Sequence, residues 1–181
     1  MDFGFLEKRP IVIAIAGSNG AGKSTFFEAQ LADSGLRFVN ADEIARELNI
    51  PAYEAAEATS AIRFALIARR ESFVFETVLS DPVGEKVKQL AQYGVSGYEV
   101  VMIFIRINDA ATSIQRVSMR ASQGGHDVPD EKLQARFART QANLTLGIER
   151  LPHVLIFDNS DLSHPYRFAE RYQNGQRVEI P

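Results

Sequence analysis

The sequence contains no cysteine, only three histidines and no long apolar run. The lack of cysteine excludes disulfide bonds and thiolate chemistry, and it suits a cytoplasmic protein. No apolar stretch reaches the roughly 18 residues that span a bilayer, so we expect no membrane partner. The N-terminal segment MDFGFLEKRP lacks a basic region followed by an apolar core, and we therefore expect no signal peptide.

An excess of charge of one sign is also missing. The 20 basic and 23 acidic residues give a formal net charge of -3, and no long basic block occurs. Because this balance offers little electrostatic attraction for phosphate backbones, we expect no nucleic-acid partner. The 181 residues are 45% hydrophobic and 24% charged, which is typical of a globular protein and predicts a single domain over residues 1–181.

A short glycine-rich motif directly after an apolar run is the clearest feature that the sequence does contain. The run 11–16 is interpreted as a buried parallel strand, and a helix is predicted from Lys23 onward. Between them the chain fits the P-loop pattern G-x-x-x-x-G-K-[ST] at every fixed position. The motif consists of Gly17, Ser18, Asn19, Gly20, Ala21, Gly22, Lys23 and Ser24, with Thr25 next to it.

A loop of this kind binds phosphate. Glycine allows backbone conformations that point successive N–H groups at an anion, and the following helix presents its positive end. We expect Lys23 to reach the terminal phosphates of a nucleoside triphosphate and Ser24 to place its hydroxyl on Mg²⁺. The alternative is an ordinary turn with an accidental lysine, against which motif and context agree. The expected cofactors are ATP or GTP, with Mg²⁺.

Strand-like and helical segments alternate along the rest of the chain, which predicts an α/β fold of the three-layer P-loop NTPase type. We expect a parallel sheet of about five strands with helices on both faces, similar to a nucleotide kinase. One helix is predicted to begin at Pro129 and to end near Gly147. The later strands are predicted at 37–40, 73–75, 99–107 and 154–157, with a short segment near 167 and a hairpin-like strand at 177–180.

Polar residues follow the predicted strands at the sheet edge where ligands bind. Asp42 follows the second strand and is a candidate for accepting the proton of a substrate hydroxyl; a helix N-cap is the alternative. Glu76, followed by Thr77, ends the third strand and is a candidate for binding a substrate hydroxyl or holding Mg²⁺ through water. Its alternative is a plain strand end. Asn159, in the loop 158–160, is a candidate for contacting the base or ribose of the nucleotide.

Two arginine-bearing helices are predicted on either side of a Gly-Gly loop. Arg120 belongs to the first helix and Arg136 to the second, and the segment from about 116 to 136 has the layout of a lid. Arginine suits a lid because its planar fork binds phosphate oxygens bidentately and stabilises charge on the transferring group. A solvated helical hairpin is the alternative, and the roles of Arg116 and Arg139 stay open.

Five segments together resemble the zeta toxin family of P-loop kinases. They read GSNGAGKST, VNADEIAREL, FVFETVLSD, RVSMRASQGGHDVPDEKLQARF and IFDNS, and the similarity extends over roughly residues 11–160. The P-loop alone is generic. The aspartate after the second strand, the Phe-Glu-Thr after the third and the Gly-Gly-His-Asp-Val-Pro segment are more specific.

The resemblance implies a kinase that uses ATP or GTP; characterised zeta toxins phosphorylate an amino-sugar hydroxyl of UDP-N-acetylglucosamine. The family motif implies phosphate and Mg²⁺ binding at Lys23 and Ser24. It also implies that Asp42 is the catalytic base, that Glu76 binds substrate, and that Arg120 and Arg136 are lid residues. The chain departs from the family where it reads Glu-Thr-Val from Glu76 instead of Glu-Gly-Thr, and it is shorter than the classical toxins.

Three functions are therefore open. The first is a zeta-toxin-like kinase whose partners are a small hydroxyl-bearing substrate, such as a sugar nucleotide, and an antitoxin protein. The second is a kinase for another small metabolite, of the gluconate or shikimate kinase type. The third is a nucleotide-dependent switch that acts through a protein partner.

Overall fold

A computed structural model describes residues 4–123 and 128–179 of the chain. The strands are β1 (Ile11–Ala16), β2 (Arg37–Val39), β3 (Phe73–Thr77), β4 (Glu99–Arg106), β5 (His153–Asp158), β6 (Arg167–Gln173) and β7 (Gln176–Val178). The helices are α1 (Lys23–Gln30), α2 (Ala41–Leu48), α3 (Ala52–Ala68), α4 (Glu85–Val95), α5 (Ala110–Ser122) and α6 (Asp130–Arg150).

The strands form one sheet in the order β2-β3-β1-β4-β5-β6-β7. The strands β1 to β5 pair in parallel, whereas β6 and β7 extend the sheet in antiparallel fashion. The predicted parallel sheet of about five strands is thus confirmed, and the tail adds a two-strand hairpin beyond it.

The strand β1 lies near the middle of the sheet, and all six of its residues are buried. Because side chains alternate along a strand, the two faces of β1 contribute to different cores. Val12 and Ala14 belong to one core, which includes residues of α3, α4 and α6. Ile11 and Ile13 belong to the other, which includes Phe26 of α1. The sheet is therefore covered on both faces, as an apolar strand without alternation requires.

The prediction that a helix ends near Gly147 is wrong, because α6 continues to Arg150. Gly147 is buried inside the helix, and a Cβ there would lie 2.5 Å from Cε of Met102 in β4. This glycine is needed for close packing of α6 on the sheet and does not terminate the helix.

The register of the sheet positions the site. Ile15 at the end of β1 pairs with Glu76, and Val39 at the end of β2 pairs with Phe75. The P-loop, Glu76 and Asn40 therefore leave the sheet side by side at the carboxyl edge of the strands, where parallel sheets bind ligands. Among the described residues, no helix is long and apolar enough to cross a bilayer.

Candidate active site

The P-loop is a tight turn that requires glycine at two of its positions. Gly17 has a φ of +148°, and a Cβ there would lie 2.6 Å from the carbonyl oxygen of Ile105. Gly22 has a φ of +89°, and a Cβ there would lie 2.7 Å from the hydroxyl oxygen of Tyr166. At both positions the positive φ and the close neighbouring atoms exclude any residue with a side chain. The two glycines therefore allow the loop to pack tightly against the edge of the sheet.

Lys23, Ser24, Asn40 and Glu76 form one polar network beneath the P-loop. The Lys23 ammonium donates to the carbonyl oxygen of Ser18 at 3.0 Å and lies 3.5 Å from Oε1 of Glu76. The Ser24 hydroxyl donates to Oε2 of Glu76 at 2.6 Å, and the Asn40 amide donates to the same oxygen at 3.3 Å. The predicted phosphate lysine, hydroxyl and strand-end carboxylate are thus brought together, and Glu76 does more than end a strand.

Asp42 lies exposed in the first turn of α2, on the wall of a cleft. The alternative that Asp42 caps this helix is wrong. The side chain of Asn40 accepts a hydrogen bond from the Asp42 backbone N–H at 2.9 Å, so Asn40 is the N-cap. The Asp42 carboxylate is left available on the cleft side of the helix start.

Asn159 supports the P-loop from the far side of β4. Its amide donates to the carbonyl oxygen of Ala21 at 2.8 Å, and the side chain is buried. The Tyr166 hydroxyl donates to the carbonyl oxygen of Gly22 at 2.9 Å. Arg116 of α5 donates to the carbonyl oxygens of Asn159 and Ser160 at 2.9 and 3.2 Å, which fixes this loop. Whether Asn159 also contacts a nucleotide stays a prediction.

Asp158 is engaged in structural ion pairs. Its Oδ2 lies 3.3 Å from Arg106 and 3.5 Å from Arg167. Burial raises the pKa of the carboxyl, but hydrogen bonds from Ser160 and the charge of Arg106 lower that pKa more, so it lies below its ordinary value. Asp158 therefore ties the end of β5 to its neighbouring strands.

A cleft of about 260 Å³ opens next to Glu76 on the side away from α1. One wall comes from the start of α2, the floor from the end of β3, and the other walls from α3 and α4. We call it the acceptor cleft. Its lining residues with polar side chains are Asn40, Asp42, Thr59, Ser60, Arg63, Glu76, Thr77, Lys86 and Gln89.

Thr77 lies on the floor of the acceptor cleft and is buried. Its hydroxyl oxygen accepts a hydrogen bond from the Leu79 backbone N–H at 3.3 Å, which begins the turn after β3. The turn is then held by α6, where Thr140 donates to the Val78 carbonyl and Asn143 donates to that of Leu79. Thr77 thus has a structural role, and its predicted contact with substrate stays a prediction.

The pKa values of two cationic side chains that line the acceptor cleft are lowered. Burial lowers the pKa of the Arg63 guanidinium, which lies 4.8 Å above the ring of Phe75. Burial against the walls of the cleft also lowers the pKa of the Lys86 ammonium, although part of this side chain reaches solvent. Asp81 opposes this shift in pKa, whereas the charges of Arg63, Lys23 and Arg136 reinforce it. The cleft therefore has a positive side.

The two predicted lid arginines lie in different surroundings. Arg136 is half-buried in α6, and its charge is felt by Lys86 at the cleft. Arg120 is exposed in the last turn of α5. Arg139 donates from Nε to the carbonyl oxygen of Ser80 at 2.8 Å, so it holds the turn after β3. The Gly-Gly loop and His126, at 124–127, lie outside the described residues, and the lid stays a prediction.

Four residues of the site escape sequence reasoning. The side chains of Asn40 and Tyr166 form hydrogen bonds with backbone groups. Arg63 and Lys86 line the cleft from α3 and α4, two helices whose sequences contain no recognisable motif. Helical periodicity could have placed Arg63 on the same face as the buried Thr59, because the two are four residues apart. Asn40 is a residue type that favours N-caps, but no signal in the sequence marks Tyr166 or Lys86.

The fold and the site together define a class: a P-loop protein built like the small phosphotransferases, with a central parallel sheet and a lysine-bearing loop after β1. The sequence narrows this class, because residues 5–170 match the family described as Zeta toxin. The chain therefore belongs to the zeta toxin family, and the resemblance inferred from its motifs is confirmed.

Solved structures agree on the fold. A chain of the AvrRxo1-ORF1:AvrRxo1-ORF2 complex with ATP has a TM-score of 0.74 and 15% identity, over 95% of this chain and 61% of that one. The PezAT toxin-antitoxin system of Streptococcus pneumoniae contains a chain with a TM-score of 0.61 and 17% identity, over 83% and 69%. A gluconokinase from Sinorhizobium meliloti 1021 has a TM-score of 0.51 and 19% identity, over 82% and 81%.

These TM-scores show a shared fold, and the predicted kinase-type α/β architecture is confirmed. The present chain spans 61% of the length of the AvrRxo1 complex chain that it matches. No curated protein matches its sequence.

Proposed function

We propose that this protein transfers the terminal phosphoryl group of ATP to a hydroxyl group of a small molecule. The observation that carries the proposal is the position of Glu76. This carboxylate contacts Lys23 and Ser24 on one side and lines the acceptor cleft on the other. A phosphate held by Lys23 would therefore point at a compound in the cleft. Family membership and the ATP bound in the similar AvrRxo1 complex support the choice of nucleotide.

The reaction needs few protein groups. The hydroxyl oxygen of the acceptor forms a bond to the γ-phosphorus, the bond to the leaving ADP breaks, and the hydroxyl proton passes to the Asp42 carboxylate. Lys23 stabilises the charge of the transferring group, and Arg120 and Arg136 add to this when they close over it. Most of the rate enhancement comes from this positioning and electrostatic stabilisation.

Mg²⁺ fits the donor set beside the P-loop. The Ser24 hydroxyl and the Glu76 carboxylate are within 2.6 Å of each other, and both are the hard oxygen donors that Mg²⁺ prefers. Ser24 would bind the ion directly, and Glu76 would orient its water ligands. When bound, the ion neutralises charge on the phosphate oxygens.

The size of the cleft favours a compact acceptor. Pockets for drug-sized ligands are typically about 300–1,000 Å³. The acceptor cleft, at about 260 Å³, lies just below this range. A small polyhydroxyl compound would fill it. A UDP-N-acetyl amino sugar would place its sugar there and extend the rest of the molecule out of the cleft.

The test is the substitution Asp42→Asn. Loss of the proton acceptor should lower kcat for phosphotransfer by about 10²- to 10⁴-fold, while binding of ATP stays unchanged. The measurement is product formation from MgATP and a metabolite pool, with nucleotide affinity determined in parallel. Asp33→Asn is the matched control, because Asp33 is an exposed aspartate in the turn after α1 and lies outside the cleft.

The same experiment separates catalysis from a nucleotide-dependent interaction with a partner protein. That second function has support from the AvrRxo1 complex and the PezAT toxin-antitoxin system, which contain chains of this fold. A switch carrying Asp42→Asn would keep its nucleotide-dependent binding to the partner, and the wild type would show no turnover. Turnover in the wild type that survives in Asp42→Asn would exclude the proposed role of this carboxylate.

A further inference from the structure

We propose that the acceptor cleft binds an anionic group of the substrate, a carboxylate or a phosphate, through Arg63 and Lys86. The inference rests on the proposed function in one respect only, namely that the compound in this cleft is the phosphoryl acceptor. It assigns a chemical class to a substrate that the family and the fold leave open.

Arg63 is held in place on the inner face of α3. One Nη donates to the Ser60 hydroxyl at 3.0 Å, and the guanidinium stacks over the ring of Phe75. Its Nε is buried and not accessible from the cleft, and the guanidinium interacts with the hydroxyl of Tyr93. Arg63 lines the cleft, and the Nη groups of a guanidinium are suited to an oxyanion, which can accept charge-assisted hydrogen bonds from them.

Lys86 faces the same cleft from the first turn of α4. Lys86 and Arg63 line the same cleft, one from α4 and the other from α3. The nearby carboxylate of Asp81 accepts from the backbone N–H groups of Glu85 and Lys86 at the start of α4 and forms no ion pair with the Lys86 ammonium. The ammonium of Lys86 is left facing the cleft.

Neither cation is neutralised by an ion pair. In residues 4–123 and 128–179, no Asp or Glu oxygen lies within salt-bridge distance of Arg63 or Lys86. The surface ion pairs elsewhere show that carboxylates do pair with arginine and lysine in this protein, as Lys88 does with Glu85. Two cations that line one cleft and form no ion pair are stabilised by an external anion.

Opposite charges line opposite sides of the cleft. The carboxylates Asp42 and Glu76 lie on the P-loop side, and Arg63 and Lys86 lie on the side of α3 and α4. A neutral hydroxyl group suits the first side and an anionic group the second. The cleft therefore orients a hydroxyl compound with its anion away from the transferring phosphate, which limits repulsion between the two.

The test is binding of simple anions to the whole protein with its P-loop filled. The protein is saturated with Mg²⁺ and a non-hydrolysable ATP analogue, and inorganic phosphate, acetate or neutral glycerol is titrated at constant ionic strength. Calorimetry should show saturable binding of phosphate or acetate and none of glycerol. The tighter of the two anions identifies a phosphate or a carboxylate as the preferred group.

The substitutions Arg63→Gln and Lys86→Gln should each weaken this binding by about 10- to 100-fold, because each removes a charge-assisted hydrogen bond. The matched controls are Arg69→Gln at the end of α3 and Lys88→Gln on α4, both exposed and outside the cleft. Lys86 is also exposed, so its variant should fold even where Arg63→Gln loses the stacking on Phe75.

The outcomes are distinct. Absence of saturable anion binding, or binding that both cleft variants keep, overturns the inference. Anion binding that depends on Arg63 and Lys86 supports it, even where no acceptor is phosphorylated and the proposed kinase activity fails. Phosphorylation of neutral acceptors with the same kcat/KM in wild type and Lys86→Gln overturns the inference while the proposed function stands.

Discussion

Gly22 is the residue at which the phosphate loop contacts the segment between β5 and β6. Its carbonyl oxygen accepts from Tyr166, and its missing side chain leaves room for the Tyr166 hydroxyl and the Asn159 amide. A Cβ would lie 2.7 and 2.8 Å from these two groups. The shape of the loop therefore depends on one hydrogen atom in the place of a methyl group.

We predict that Gly22→Ala lowers nucleotide affinity by about 10- to 100-fold, since displacement of the loop loses a hydrogen bond to a charged phosphate. The positive φ alone should destabilise the fold by roughly 1–2 kcal/mol. Isothermal titration with ATP and urea unfolding measure the two effects.

Gly35→Ala separates the two contributions. Gly35 also has a positive φ, +69°, but a Cβ there meets no atom within 4 Å. This variant should show the same backbone penalty and unchanged affinity for ATP. Equal nucleotide affinity in both variants would contradict the role given to the contacts of Gly22.

Single residues of the site differ in how well the sequence predicts them. Lys23 and Ser24 are fixed by a motif, because phosphate binding imposes their spacing. The N-cap of α2 could not be assigned, since Asn40 and Asp42 are both good capping residues and only the backbone decides between them. Lys86 lines the cleft because α4 packs beside it, and the local sequence around Lys86 does not encode how that helix packs.

The helix α6 is the element that shapes the turn after β3. Asn143 donates to the carbonyl oxygens of Leu79 and Asp81, both at 2.8 Å. Leu79 is fully buried with a φ of +59°, an uncommon conformation for leucine. The turn keeps this conformation because its carbonyl groups find partners on α6.

We predict that Asn143→Ala destabilises the protein by about 1–3 kcal/mol, because two backbone carbonyl groups lose their donor in a buried place. The free energy of urea unfolding measures the loss. Gln134→Ala on the exposed face of the same helix serves as the control and should change stability by less than about 0.5 kcal/mol. A similar small effect for both variants would show that the turn holds its shape without α6.

Element boundaries show where sequence reasoning stops. The helix α5 begins where a local signal favours it, because Asp109 is an effective N-cap whose carboxylate accepts from the Thr112 backbone N–H. The end of α6 was not predictable, since glycine favours helix ends and only its contact with Met102 explains its place inside one. The strand β6 has no apolar alternation, and its pairing with β5 and β7 defines it.

Stability of the whole molecule should depend on pH through His153, a buried residue at the start of β5. Its ring stacks on Phe5 at 4.0 Å, and its Nε2 lies 2.6 Å from Glu99. Burial lowers the pKa of His153, and although Glu99 opposes the shift, the charges of Lys8 and Arg171 reinforce it. The folded protein therefore favours the neutral imidazole.

The unfolded chain takes up a proton at His153 near the ordinary pKa of 6.5, before the folded protein does. We predict that the free energy of unfolding is constant above pH 6.5 and falls below it, by at most about 1.4 kcal/mol per pH unit. Urea unfolding between about pH 5.5 and pH 8 measures this dependence, in a range where most carboxyl groups stay ionised.

His153→Gln should lower stability at every pH but remove the slope below pH 6.5. His164→Gln is the control, because the His164 side chain is 81% exposed, and it should leave the slope in place. A slope that persists in His153→Gln would assign the pH dependence to other groups.

The support of the phosphate loop by Asn159 and Tyr166 has a consequence for protein synthesis. These residues contact Ala21 and Gly22 across sequence separations of 138 and 144 residues. A ribosome makes the loop early and its supports late, so a nascent chain carries the lysine motif long before the anion cradle can close around it. Nucleotide binding thus becomes available only after synthesis has passed Tyr166, and translation products truncated before that residue should remain inert.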